Sequence, residues 1–336
     1  MKSNLLMLTA LLLLLVMVLS ACGTAKVPSN DNKTSEEPIT EADIINDVYI
    51  ERADKEVKNI LMIGNSGCHY YVEELCGIAS ADGYELTVAN LYKSGAKPYE
   101  HLDSLKNDTR IAMLYVTNSK ERKQITRLST KETLEYAEKK LKGGWDVITL
   151  QGNSDSYSLI GDMESAMQTS QAPVKELYDY IKENNPNATL YWHQTWAYEI
   201  GYGKDRSEEY QMNDVEHRTS MYNIRKAVAY KIAEENDVRI VPSGDAWEIA
   251  RKSDIIGTDL CRRLAINDGE GDYYHDGDIG GGQYLNACVW YEVLMGKSCI
   301  GNTWRPPYEL SEEKIAILQA AAHEAVAAVY GPGYAK

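Results

Sequence analysis

Phenylalanine is missing from this sequence. None of the 336 residues is Phe, whereas tyrosine occurs 24 times. Apolar side chains still make up 44% of the chain, an ordinary fraction for a globular protein. We therefore expect tyrosine, methionine or leucine to fill core positions where other proteins use Phe. This absence bears on packing and stability more than on chemistry.

A surplus of basic residues is missing as well. Lys and Arg number 35 against 50 Asp and Glu, so the formal net charge is −15. Proteins that bind nucleic acids neutralise phosphates with clustered Lys and Arg. The composition therefore predicts no nucleic-acid partner for this chain.

The first 22 residues have the pattern of an export signal. Lys2 supplies the charged start, Leu5 to Leu19 is almost wholly apolar, and Ser20-Ala21-Cys22 follows. Small residues before a cysteine match the bacterial lipobox, in which that cysteine is lipidated and becomes the first mature residue. A plain secretory signal or a membrane helix is the alternative, although the apolar run is short for a span. We predict lipidation of Cys22 and an extracytoplasmic protein tethered to the cell membrane.

Residues 23–56 are predicted to be a flexible tether, because they are rich in Ser, Asn, Asp, Glu, Thr and Pro. The folded domain is predicted to span residues 57–336. After Cys22, five cysteines remain, an odd number without metal-ligand spacing. We expect neither a metal nor an organic cofactor.

Strand and helix patterns alternate along the folded part. This alternation predicts an α/β fold with a mainly parallel five-stranded sheet covered by helices on both faces. Two strand patterns between residues 110 and 128 predict a small antiparallel hairpin inserted into it. The five core strands are expected at 59–63, 85–91, 145–150, 189–193 and 239–242. Helices are expected at 70–81, 98–106, 130–141, 174–183, 214–235, 245–251, 283–294 and 311–328.

Ser66 lies where the first strand turns into a helix. Four apolar residues, 60–63, run into Gly64-Asn65-Ser66-Gly67, and a helical pattern follows. A serine at such a turn faces free backbone N–H groups, which stabilise an anion formed by nucleophilic attack. The alternative is an ordinary Asn-Ser turn between a strand and a helix.

A second candidate group lies near the carboxyl terminus. Asp272 and His275 are three residues apart, so one turn places a carboxylate against one imidazole nitrogen and leaves the other nitrogen facing outward. The alternatives are a solvated acidic loop and a calcium loop. Tyr273 and Ile279 occupy positions where an EF-hand needs Gly and Glu, which disfavours calcium.

These features resemble the SGNH, or GDSL-type, hydrolases over residues 58–302, and most closely an uncharacterised bacterial lipoprotein branch of them. The resemblance implies the SGNH hydrolase fold, a flavodoxin-like doubly wound sandwich. The stretches that carry it are Ile63-Gly64-Asn65-Ser66, residues 145–151 (WDVITLQ), residues 192–198 (WHQTWAY), Asp272-Tyr273-Tyr274-His275 and residues 287–292 (ACVWYE).

The resemblance implies a role for each matching residue. Ser66 is the nucleophile, His275 the base and Asp272 the carboxylate that orients it. The N–H groups of Ser66 and Gly95 are two oxyanion donors. The third donor is Asn153 or Gln151, because Gln151-Gly152-Asn153 is one residue out of step with the Gly-x-Asn-Asp of the family.

Two further departures are Asn65, where the family has Asp, and Gly67, where a bulkier residue is common. Gln151-Gly152 also resembles the Gln-Gly-Glu of carbohydrate acetylesterases. His193 and Trp196 follow the fourth strand, where a ligand crevice forms, and are predicted to bind a sugar ring. Core packing is the alternative for both.

The predicted function is therefore hydrolysis of acyl esters, chiefly O-acetyl esters of carbohydrates, by a lipid-anchored serine esterase outside the cytoplasmic membrane. The alternative is a carbohydrate-binding or scaffold lipoprotein that kept this fold without turnover. A third hypothesis makes Cys68, two residues after Ser66, the nucleophile.

Overall fold

A computed structural model of the chain describes residues 57–140, 144–152, 156–203, 207–256 and 281–336. All of them belong to the unit Ile44–Lys336. The predicted signal, tether and lipidation site at Cys22 lie outside the described residues, as do Asn153, Asp272 and His275. Among the described helices, none is long and apolar enough to cross a membrane.

One mixed sheet of seven strands forms the centre of the described structure. Five parallel strands lie in the order β2-β1-β5-β6-β7, and an antiparallel hairpin, β3–β4, extends the sheet beyond β2. The strands are β1 Asn59–Gly64, β2 Thr87–Tyr92, β3 Ala112–Thr117, β4 Arg122–Leu128, β5 Val147–Gln151, β6 Thr189–His193 and β7 Arg239–Val241.

Nine α-helices are described, together with 3₁₀ turns at Ser66–Cys68 and Glu208–Tyr210. The helices are α1 Val72–Ala81, α2 Pro98–Asn107, α3 Thr130–Lys140, α4 Ser156–Leu159, α5 Met163–Asn184, α6 Val215–Asn236, α7 Ser243–Ala250, α8 Gly282–Met295 and α9 Glu312–Tyr330. Side chains that cap amino termini explain several starts, since Asp162, Asp214 and Ser311 each accept from a backbone N–H three residues on.

Helices cover both faces of the sheet. Buried residues of α1, α7, α8 and α9 pack on one face, and those of α2, α3, α5 and α6 pack on the other. Tyrosine enters this core, as the sequence predicts: Tyr71, Tyr178, Tyr284 and Tyr291 are among the largest fully buried side chains. The hydroxyl of a buried tyrosine usually has a hydrogen-bond partner, and Tyr178 donates to the carbonyl of Tyr191 at 2.7 Å.

The predicted fold class is confirmed. The sheet has the five parallel strands and the inserted hairpin, and the parallel strands follow the order 2-1-3-4-5 of flavodoxin-like sheets. One element differs clearly: α5 begins at Met163, whereas the sequence predicts a helix from 174. Pro173 lies inside α5, and a proline normally marks a helix boundary, which explains the late predicted start.

Candidate active site

Ser66 lies at the topological switch point of the sheet. The chain leaves β1 toward β2 on one side, and β5 lies on its other side. Helices therefore cross to opposite faces after these strands, and a crevice opens at their carboxyl ends. Ser66 follows β1 at this crevice, Gly95 follows β2, and Gln151 ends β5.

Ser66 begins a short 3₁₀ turn, and its backbone N–H has no acceptor in the described part of the chain. The next two N–H groups are occupied: Gly67 N donates to the side chain of Asn65 at 3.0 Å, and Cys68 N donates to the carbonyl of Asn65 at 3.2 Å. Among the described residues, no acceptor is bonded to the N–H of Ser66 and no partner to its hydroxyl. The half-buried Ser66 thus combines a nucleophilic oxygen with an unused amide donor.

Asn65 ties the serine turn to two neighbouring segments. Its Nδ2 donates to the carbonyl of Ala96 at 2.9 Å, and its Oδ1 accepts from Gly67 N and from Nε2 of Gln151. Asn65 is almost fully buried. An uncharged amide supplies the donor toward Ala96, which an aspartate at this position would lack.

Gln151 contacts the serine turn through its hydrogen bond to Asn65. The buried Gln151 side chain fits because Gly64 and Gly67 lack side chains: a Cβ on Gly64 would lie 2.6 Å from Cγ of Gln151, and one on Gly67 would lie 3.0 Å from Nε2. Gly67 therefore provides space in the turn. The structure gives Gln151 a positioning contact with Asn65, and Asn153, the other predicted oxyanion donor, lies outside the described residues.

Gly95 forms the turn after β2. Its φ of 63° lies in the left-handed region that favours glycine, and a side chain there would meet no described atom within 4 Å. Its N–H donates to no described backbone carbonyl. Because Ala96 is bonded to Asn65, this turn is held beside the serine turn.

None of the five described histidines is bonded to Ser66. His101 approaches the carbonyl of Gly64 with Nε2 at 3.3 Å, and burial lowers its pKa to about 4. The other four are engaged elsewhere: His69 with Asn90 and Arg122, His193 with Ser243, His217 with Leu159, and His323 with Glu292. The sequence contains one more histidine, His275.

His193 and Trp196 are buried among other aromatic side chains. His193 is fully buried beside Trp290, with ring centroids 5.1 Å apart, and Trp196 stacks on Trp247 at 4.5 Å. Burial alone lowers the pKa of His193 to about 3, so the imidazole is neutral. This geometry corresponds to the core-packing alternative, and we assign neither residue to substrate contact.

Cys68 is also buried. Its thiol donates to the carbonyl of Asn65 at 3.4 Å and lies 3.1 Å from Nδ2 of Asn90. Burial raises the pKa of this thiol to about 12, so the reactive thiolate is disfavoured. The hypothesis that Cys68 is the nucleophile therefore has no support in this geometry.

Asn90 is a positioning residue that the sequence reading missed. It lies on β2, where Nδ2 donates to the carbonyl of Cys68 at 2.9 Å and Oδ1 contacts Nδ1 of His69 at 2.8 Å. The signal for it was a polar residue inside an apolar strand, because a buried amide requires partners. In the described part of the chain, no group of His, Cys, Asp and Glu side chains could hold a metal ion.

Comparison with known proteins gives a family match across most of the chain. The model of the family described as "Domain of unknown function (DUF4886)" matches residues 59–325. The crystal structure of a DUF4886 family protein from Bacteroides uniformis is 26% identical, with 83% of this chain and 97% of that chain covered and a TM-score of 0.66. No curated protein matches the sequence.

Two further solved structures are more distant. A protein described as a GDSL-like lipase, from Parabacteroides merdae, is 16% identical, with 72% and 97% of the two chains covered and a TM-score of 0.42. A variant of an acetyl xylan esterase from Geobacillus stearothermophilus is 14% identical, with 71% and 97% covered and a TM-score of 0.40.

Proposed function

This chain belongs to the DUF4886 family, and from the serine turn at the switch point together with the sequence resemblance to SGNH hydrolases we propose that it is a serine ester hydrolase of the SGNH type. The observation that carries the proposal is the state of Ser66. It lies at the switch point, and among the described residues its hydroxyl has no partner and its own N–H has no acceptor, while the next two N–H groups are occupied.

The reaction begins with attack by Ser66 Oγ on the acyl carbon. His275 takes the hydroxyl proton, and the carbonyl oxygen becomes an oxyanion. The N–H groups of Ser66 and Gly95 and the side chain of Asn153 stabilise that charge. Asp272 orients the imidazole and stabilises its protonated form.

Collapse of the first intermediate releases the alcohol, which receives the proton from His275. Water then attacks the acyl-enzyme, and the same imidazole accepts a proton from it. The second intermediate collapses with cleavage of the bond between the acyl carbon and Ser66 Oγ, which takes that proton back from His275, and the free acid leaves. The assignment of the base to His275 is supported by elimination, since each of the five described histidines has other partners.

The proposed substrates are O-acetyl esters of carbohydrates. The support is the resemblance of Gln151-Gly152 to the acetylesterase pattern, together with the predicted signal and lipidated Cys22. A protein anchored outside the cytoplasmic membrane meets acetylated polysaccharides there.

The test is hydrolysis of 4-nitrophenyl acetate by the purified chain and by Ser66→Ala. Loss of the nucleophile is expected to lower kcat on the order of 10⁴-fold. Ser119→Ala, a change in the hairpin turn where Ser119 is bonded to Glu85, is the matched control and retains activity. Cys68→Ser also retains it.

Equal rates for the wild type and Ser66→Ala would contradict the proposal. A wild type without any hydrolysis would favour the non-catalytic carbohydrate-binding alternative. Activity that survives Ser66→Ala and disappears in Cys68→Ser would instead identify a thiol hydrolase.

A further inference from the structure

The β3–β4 hairpin carries a local positive charge in an acidic protein. Residues 110–131 contain six Lys and Arg and one acidic residue, Glu121, although the whole chain has a net charge of −15. Three of these six cations have nearby acids, because Arg110 pairs with Glu132, Lys123 pairs with Glu121, and Arg122 lies 3.7 Å from a carboxylate oxygen of Glu73. Arg127 is exposed, and no described carboxylate lies within ion-pair distance of it.

Aromatic and basic side chains share one face of this hairpin. Arg127 pairs in register with Met113, and Met113 pairs with Tyr92 of β2. Gln124 pairs with Tyr115, whose hydroxyl donates to Oε1 of Gln124 at 3.2 Å. The basic aromatic face is defined as Tyr92, Tyr115, Arg122, Gln124 and Arg127.

The basic aromatic face is long enough along the sheet edge to contact an oligosaccharide. From Arg122 to Arg127 the strand rises about 17 Å, long enough for several sugar units. Both tyrosine rings are half-buried, and the guanidinium of Arg122 lies 5.1 Å from the ring centre of Tyr115. Half-exposed rings beside charged groups offer apolar contact and ionic contact together.

The basic aromatic face adjoins the serine turn through His69. His69, three residues after Ser66, stacks on Tyr92 with ring centroids 4.0 Å apart and meets Tyr115 edge-on at 4.8 Å. Arg122 donates to the carbonyl of His69 at 3.2 Å. A polymer on the face therefore passes beside the residues that hold Ser66.

Protection of an exposed sheet edge explains part of this pattern. Lys and Arg on an edge strand discourage pairing with other chains. That explanation accounts for charge on both faces of β4, since Lys123 and Arg127 lie on opposite faces, but it predicts no preference for aromatic rings on one of them. The tyrosines lie on one face, and that face is the one connected to His69.

We propose that the basic aromatic face binds an acidic polysaccharide, with sugar rings against Tyr92 and Tyr115 and a carboxylate at Arg127, while Arg122 stays bonded to His69 and Glu73. This inference rests on the proposed esterase function and specifies its substrate class: acyl esters on a glycan that contains uronic acid units. Arginine suits the carboxylate because its planar fork donates two parallel hydrogen bonds.

The test is binding of the full chain to polygalacturonate, with an uncharged glucan as the reference polymer. Wild-type protein binds polygalacturonate more tightly, and the affinity falls as salt rises from 50 to 300 mM. Arg127→Gln and Tyr115→Ser each weaken binding roughly five- to tenfold.

Lys123→Gln is the matched control. It removes the same charge from the same strand, but strand alternation places it on the other face, where its partner Val116 packs against the core. Its affinity for polygalacturonate is expected to equal that of the wild type. Equal losses in Lys123→Gln and Arg127→Gln would overturn the proposal, because they would reflect net charge alone.

Binding requires no turnover, so the two proposals can fail separately. Hydrolysis of 4-nitrophenyl acetate without selective binding to polygalacturonate would overturn the glycan inference and leave the esterase. Selective binding without hydrolysis would overturn the esterase and leave the binding of the acidic glycan. Binding to vesicles that contain one-third phosphatidylglycerol, in place of polygalacturonate, would assign the face to membrane lipid and overturn the glycan inference.

Discussion

At the residue scale, amides hold the candidate nucleophile in place. Asn65 bonds both sides of the serine turn, and Gln151, 86 positions later, bonds Asn65. Both side chains are buried, and neither carries charge. Buried uncharged amides avoid the desolvation penalty of a carboxylate while still fixing geometry.

The close fit between Gly64 and Gln151 predicts coupling between them. Gly64→Ala places a Cβ 2.6 Å from Cγ of Gln151, so the free energy of unfolding falls by about 1–3 kcal/mol. In the Gln151→Ala background the same change costs less, since the obstructing atoms are gone. Chemical denaturation of the two single variants and the double variant measures this. Additive losses would contradict the packing explanation.

The positions of the turn residues could be predicted from the sequence, whereas the side chains that they contact could not. Ser66 and Gly95 lie where the strand and turn patterns indicate. The contact between Gln151 and Asn65 requires β5 to lie beside β1, which only the assembled sheet establishes. The burial of His193 likewise depends on Trp290 from a helix about a hundred positions later.

At the element scale, helix ends follow local chemistry closely. The capping residues Asp214 and Ser311 and the proline that opens α2 place three starts within a residue of their predicted positions. The start of α5 was missed because Pro173 interrupts a pattern that packing nevertheless keeps helical.

Asp237, at the carboxyl end of α6, is less favourable for stability than glycine would be at the same position. Asp237 has a φ of 49°, lies exposed, and places a carboxylate at the negative end of the helix dipole. Asp237→Gly is therefore expected to raise the free energy of unfolding by about 1 kcal/mol. Urea denaturation at pH 7 measures the gain.

Asp108 provides the comparison for that experiment. It has a similar φ of 52°, but its carboxylate accepts a hydrogen bond from the hydroxyl of Ser129. Asp108→Gly loses that bond, so its gain is smaller. A larger gain at Asp108 than at Asp237 would contradict the explanation from backbone conformation and dipole.

At the scale of the whole molecule, two buried histidines make the fold sensitive to acid. His101 packs on the α2 side of the sheet, and His193 lies among the aromatic rings on the opposite side. Burial lowers the pKa of His101 to about 4 and that of His193 to about 3. Both remain neutral in the folded protein at pH 5.

Unfolding therefore becomes easier as the pH falls below about 6.5, the pKa of an exposed imidazole. The unfolded chain binds protons there and the folded chain does not, so stability falls toward pH 4. Each histidine lowers the free energy of unfolding by about 2 kcal/mol at pH 5 relative to pH 7. His101→Gln should remove its share of this difference in urea titrations. Between pH 7 and 8 neither residue contributes, which serves as the internal control.

The sequence by itself determined the order of the elements and the position of the candidate nucleophile. Strand and helix periodicity, capping residues and turn glycines act over a few neighbouring residues, so they can be read along the chain. These local patterns were sufficient for the α/β sheet, its hairpin and the turn at Ser66.

Only the tertiary structure decided which side chains are buried and which of them meet. The same aromatic and histidine pattern after β6 suits a ligand crevice or a core, and packing by α7 and α8 buries His193 and Trp196. Likewise, the basic aromatic face exists because the hairpin lies beside β2 and brings Tyr115 to His69. Contacts between residues far apart in the chain depend on how the elements pack, and no local pattern specifies that packing.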